Sequence, residues 1–176
     1  MTYSIIGFKG NPAAMAAPAA AGGPYGWLNR TGNLWRTSND IGYSFRSVLG
    51  NLDSQENVPG IENLAGPGGW SDLDMLMFAN TKAKLSSVQA ATHLALWAIL
   101  KAPMLLSTDI TAVTPAELAM LTNPRMLSIH QDPLARQARR VLPEVSTRIL
   151  VKTMRDAVRN SERWKRAPCA YSRSLY

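Results

Sequence analysis

The sequence predicts an α/β fold built on a parallel sheet, and three observations carry the prediction. Short apolar runs of strand length alternate with longer stretches of helical periodicity. The helical stretches begin at residues that cap helices, and the acidic residues gather just after the apolar runs.

Taken in order, "TYSIIGF" (2–8) is a strand, followed by the Ala/Pro/Gly-rich loop "NPAAMAAPAAAGG" (11–23). That loop has small-residue patterns resembling a signal cleavage site. Two prolines interrupt it, so a loop is expected rather than a signal peptide. "NLWRT" (33–37) is a second strand, and "YSFRSVLGNL" (43–52) has helical spacing at Phe45, Val48, Leu49 and Leu52. "GGWSDLDML" is a third strand whose end carries acids. The strongest helix is "SSVQAATHLALWAILKA" (86–102), capped by Ser86 or Ser87, with Val88, Ala91, Ala95, Ala98 and Ile99 as its apolar face. Pro103 opens another strand, "PMLLST". "TPAELAMLTN" (114–123) then starts with Thr114 as N-cap, Pro115 at the first helical position and Glu117 completing a capping box.

Composition narrows the class. At 176 residues, 46% hydrophobic and 18% charged, the chain suits one globular domain with a core of its own. Cys169 is the only cysteine, which rules out an intrachain disulfide, and no apolar run reaches the roughly 18 residues of a membrane span. The formal charge of +7 is uneven: residues 1–134 carry a net −1 and residues 135–176 a net +8. A basic tail with Trp164 and Tyr171 could hold nucleic acid through phosphate contacts and stacking. A solvated extension is the simpler expectation, and nucleic acid is not the expected partner.

In parallel α/β barrels the chemistry sits at the C-terminal ends of the strands. Asp40, Asp72, Asp74 and Asp109 each follow an apolar run, which would bring them to one mouth. With Arg36, Trp35 and Trp70 beside them, a sugar site is one reading: indole stacks on apolar ring faces, and carboxylate and guanidinium bind hydroxyls. The other is that the acids cap turns or helices, Asp109 in particular. His93 and His130 read as packing or hydrogen-bonding residues. No metal-ligand spacing is found, and the pair Asp72/Asp74 lacks the remainder of a calcium loop. Asn29 in "NRT" matches a glycosylation acceptor pattern.

Four ordered blocks carry a more specific signal: "GNLWRTSNDI" (32–41), "GPGGWSDLDML" (66–76), "HLALWAILKAPMLLSTDI" (93–110) and "MLSIHQDPLARQARRV" (126–141). Together they resemble the α-galactosidase and α-N-acetylgalactosaminidase family, glycoside hydrolase family 27. The resemblance implies a partial (β/α)8 barrel, about strands five to eight, over residues 1–141. Residues 142–176 would be a divergent basic tail containing the start of a truncated β-sandwich, with "STRILVKTM" as its first strand. It implies retaining hydrolysis of terminal α-linked galactose without a cofactor, by two carboxyls about 5 Å apart. Asp40 would be the acid/base, with Arg36 and Asp74 binding the sugar and Asp72 and Trp70 beside it.

The family's nucleophile lies in a block of the type "LKYDNC", which this sequence lacks. The expectation is therefore a fragment of the barrel, completed by a complementing half or a second copy, or else a sugar-binding or scaffold remnant without turnover. Two departures lie in the acid-bearing loop, where Ser71 replaces the usual Asn and Leu73 the usual Pro. Loss of the proline would loosen the aim of Asp74. Ile6 and Gly7 stand where the family senses the substituent at sugar C2, so galactose and N-acetylgalactosamine are not distinguished.

Overall fold

The computed structural model describes residues 4–5, 28–58, 60–80, 82–140 and 150–151. Three parallel strands form its sheet in the order β1 (Ser4–Ile5), β2 (Leu34–Arg36) and β3 (Trp70–Asp72). Parallel neighbours need a crossover, and the second crossover contains the helix α2 (Phe45–Glu56), entered through Ser44, whose side chain accepts the Ser47 amide. A short helix α1 (Leu28–Thr31) precedes β2. The chain then runs through helix α3 (Ser87–Leu100) and returns beside the sheet, where Leu76 and Leu106 make a parallel bridge.

Alternation along the strands divides the sheet into two faces. Trp35 and Ser71 are register partners, both fully buried, and face α2: Ser71 Oγ accepts from Trp35 Nε1 (3.1 Å) and from Gln55 Nε2 (3.2 Å). Leu34, Arg36, Trp70 and Asp72 belong to the opposite face. Close approach of Trp35 to the preceding turn explains a glycine, since a Cβ on Gly69 would lie 2.6 Å from the indole ring. The neighbouring Gly68 has φ +101° in the same turn, a conformation that side chains disfavour.

The main core joins Val48 and Leu52 of α2, Leu73, Leu76 and Phe78 after β3, and Leu94, Trp97 and Leu100 of α3. Full burial of each large apolar side chain contributes about 1.5–3 kcal/mol. Leu28, Trp35, Val58 and Ile61 form a smaller second cluster. Helices α4 (Pro115–Leu121) and α5 (Pro124–His130) follow, α4 with the expected Thr114/Glu117 capping box. Strand β4 (Arg139–Arg140) pairs antiparallel with β5 (Leu150–Val151), and Arg140 Nη1 meets Glu56 Oε2 of α2 at 3.2 Å.

Several expectations change. Helix α2 runs four residues beyond Leu52, and α5 was not foreseen; Asn123 caps it and Pro124 starts it. "PMLLST" makes a single bridge rather than a strand, leaving Leu105 51% exposed. The apolar face expected for α3 is its less buried side. Val88 is exposed and Ala91, Ala95 and Ile99 are half-buried; of the five only Ala98 is buried, together with His93, Leu94, Trp97 and Leu100 from outside the expected face. This helix is apolar nearly all round, so periodicity does not select a face. The β4/β5 pair straddles the expected division between residues 141 and 142. The leader-like loop, Ile6, Gly7, Cys169 and the tail beyond Val151 lie outside the described residues, as does the side chain of Asn29. Among the described residues no helix is long and apolar enough to cross a membrane.

Candidate active site

Arg36 ends β2 and Asp72 ends β3, and the two are register partners, so guanidinium and carboxylate leave adjacent strands at one level. Asp74 follows two residues on, and Arg36 Nη2 donates to Asp74 Oδ2 at 2.8 Å. The same nitrogen reaches Asp40 Oδ1 at 3.2 Å. The two carboxylates it bridges differ in environment: the Asp40 side chain is 84% exposed and that of Asp74 is 10% exposed. Asp40 therefore stands open to solvent, while Asp74 is a fixed acceptor.

Asp74 is fixed by more than Arg36. Its backbone has φ +77°, a left-handed conformation costing a non-glycine residue roughly 1–2 kcal/mol. Asp72 Oδ1 accepts the Asp74 amide at 2.8 Å, and Trp97 Nε1 on α3 donates to the Asp74 carbonyl at 2.8 Å. The carboxylate also accepts the amides of Ile41 (2.7 Å, Oδ2) and Met75 (2.8 Å, Oδ1). The loosening expected from Leu73 is thus offset by hydrogen bonds on every side of Asp74. Leu73 itself is fully buried, and its carbonyl accepts from Asn51 Nδ2 at 2.9 Å.

Asp72 is buried, and desolvation raises its pKa above the ordinary carboxylate value; the Asp74 amide and Arg36 act in the opposite direction. It faces the loop backbone as a clamp. Trp70 is not brought to the cluster. It opens β3 two residues before Asp72, and Lys101 Nζ sits 5.5 Å from its ring centroid at the C-terminal end of α3. Lys101 also donates to the carbonyls of His130 and Asp132, which places Trp70 beside the far end of the helix layer.

Asp109 takes the capping role: its Oδ1 accepts the Thr111 amide at the start of a short 3-10 helix, Ile110–Ala112. His130 bonds through Nε2 to the Ala102 carbonyl (3.0 Å), and His93 packs edge-on against Trp97 at 4.1 Å. Among the described residues no three His, Cys, Asp or Glu side chains form a metal-holding group, and Arg36 supplies the cation between the carboxylates. Trp97 and the Ile41 and Met75 amides are the contributors that the sequence reading missed. Backbone donors leave no compositional trace, and Trp97 reads as an ordinary apolar helix residue.

Parallel strands with a guanidinium and three carboxylates at their C-terminal ends define an α/β protein whose site suits a hydroxyl-bearing ligand. The family description "Alpha galactosidase A" matches residues 11–132. Alpha-N-acetylgalactosaminidase of Mus musculus is 40% identical over 153 residues, covering 81% of this chain and 36% of that protein. Alpha-galactosidase A of Homo sapiens is 42% identical over 106 residues, covering 60% and 24%. A Bacteroides fragilis crystal structure of the alpha-galactosidase type superposes with TM-score 0.71 at 27% identity, covering 88% of this chain and 33% of that one. Alpha-galactosidase I of Mortierella vinacea has the same fold (TM-score 0.68, 23% identity, 76% and 38% covered). The chain belongs to the α-galactosidase/α-N-acetylgalactosaminidase family, glycoside hydrolase family 27. It spans about a third of the length of the curated relatives it matches.

Proposed function

We propose that these residues form the acid/base side of a retaining glycosidase site for terminal α-linked galactose, on the later strands of a (β/α)8 barrel. The observation that carries this reading is the Arg36 guanidinium, which joins exposed Asp40 to fixed Asp74 at the strand ends. Asp40 protonates the departing glycosidic oxygen and later accepts a proton from water. Arg36 and Asp74 hold sugar hydroxyls through charge-assisted hydrogen bonds, and Asp72 keeps Asp74 in place. The attacking carboxylate comes from chain outside these 176 residues.

The test separates binding from turnover. Purified chain is expected to bind galactose, with affinity reduced at least about tenfold by Arg36→Met or Asp74→Asn, and not to hydrolyse an aryl α-galactoside. Galactose affinity unchanged in both variants would remove the sugar site. Turnover with a covalent sugar adduct on this chain would overturn the assignment of the nucleophile elsewhere.

A further inference from the structure

Helix α3 carries two flat rings one turn apart. His93 and Trp97 stand at the spacing at which side chains on one helix face meet, and both are fully buried. Their ring centroids are 4.1 Å apart at an interplanar angle of 77°, an edge-to-face pair. No hydrogen bond accounts for the histidine: neither Nδ1 nor Nε2 has a partner among the described residues. The imidazole meets its surroundings through shape and ring contact.

Trp97 differs, because its indole Nε1 donates to the Asp74 carbonyl at 2.8 Å in the interior. The torsion that turns an aromatic ring about its bond to Cβ is broad, so rotamer preference alone does not point Nε1 at one atom. A rigid ring edge against the indole restricts that rotation. A flexible aliphatic side chain fills the same space without presenting such an edge.

Asp74 needs the restraint. Its φ of +77° lies in the left-handed region, and its carboxylate reaches Arg36 from that turn. Asp72 Oδ1 accepts the Asp74 amide at 2.8 Å, and Trp97 holds the carbonyl. Imidazole, indole, Asp74 backbone and Asp74 carboxylate thus form one continuous series of contacts from the core to the strand ends.

We propose that His93 is a positioning residue of the sugar site: its ring sets the plane of Trp97, and the indole N–H then holds Asp74 in the backbone conformation that aims its carboxylate at Arg36. The proposal rests on the galactoside reading of the Arg36/Asp74 site.

Nuclear magnetic resonance of the isotope-labelled full chain reads the indole directly. The Trp97 indole N–H signal, assigned by its loss in Trp97→Phe, is expected to exchange slowly with solvent. His93→Leu and His93→Met, two non-planar replacements, should each shift that signal and speed its exchange. In calorimetric titration both should weaken galactose binding about three- to tenfold, the range of one lost hydrogen bond. His93→Phe, which restores a flat ring, should return both readouts towards wild type. Leu52→Val, in the same core on α2, should lower stability without moving either. An unmoved indole signal or unchanged galactose affinity in whichever non-planar variant folds, or the same shift in Leu52→Val, would overturn the proposal and leave the galactoside reading standing. A wild-type chain that binds no galactose would overturn that reading and the proposal with it.

Discussion

Asp74 shows how one residue is held against its own backbone preference. Its positive φ is maintained by Asp72 on the amide and Trp97 on the carbonyl, while Arg36, Ile41 and Met75 fix the carboxylate. Trp97→Phe keeps most of the ring volume and removes one donor. Urea unfolding should show a loss of about 1–2 kcal/mol, accompanied by weaker galactose binding. Trp35→Phe, which removes the donor to Ser71 on the other face, should cost similar stability without the binding loss. His93 presents a different residue-scale case: both ring nitrogens lack a partner among the described residues, and burial lowers its pKa to about 3. The fold therefore requires the neutral imidazole. The unfolded chain binds a proton near 6.5, so the stability associated with His93 is full above 6.5 and is lost as pH falls towards 3. The slope is about 1.4 kcal/mol per pH unit within that window. His93→Met should flatten this part of a stability–pH curve measured by urea denaturation.

At the scale of elements, the contacts between them depend on a few unsubstitutable positions. The turn before β3 approaches Trp35 so closely that Gly69→Ala must displace either the indole or the turn, and Trp35 is fully buried. Thermal and urea unfolding should register a cost of about 1–3 kcal/mol. Lys101 ends α3 in a left-handed conformation (φ +54°), and its ammonium reaches the carbonyls at the end of α5 and after it. A cation there satisfies carbonyls at a helix C-terminus and adds a contact with the face of Trp70. Lys101→Met keeps the aliphatic stem and leaves those carbonyls without the charge. The expected loss is about 2–3 kcal/mol by urea denaturation.

At the scale of the molecule, the sheet presents an apolar margin. Leu105 is 51% exposed, Leu106 38% and Ile110 72%, all in or just after the segment bridged to Leu76. Exposed apolar strand-like segments pair with other chains. Leu105→Lys is expected to lower self-association, read as a smaller apparent mass by light scattering at matched concentration. The unfolding midpoint should stay nearly unchanged, because the side chain is already half in solvent. The parallel order and the crossover helices were legible from alternating apolar runs and caps. The Thr114 capping box and the Ser86 cap appeared where their sequence signals stood, because capping is a contact among residues three apart. The bridge at Leu106 and the buried face of α3 were not legible, since each depends on which neighbour happens to lie alongside.

The sequence by itself determined the family and the residue types at the strand ends. Four ordered blocks carry Arg36, Asp40, Asp72 and Asp74, and the side-chain chemistry of those residues is independent of how the chain folds. Only the tertiary structure decided their surroundings: Asp40 exposed, Asp74 fixed, Asp72 turned to the backbone and Trp70 placed at the other end of its strand. The reason is physical. Residue type sets what a group can donate, accept or ionise, whereas solvent access, partners and distance arise from segments far apart in the chain, such as Trp97 meeting Asp74 across 23 positions.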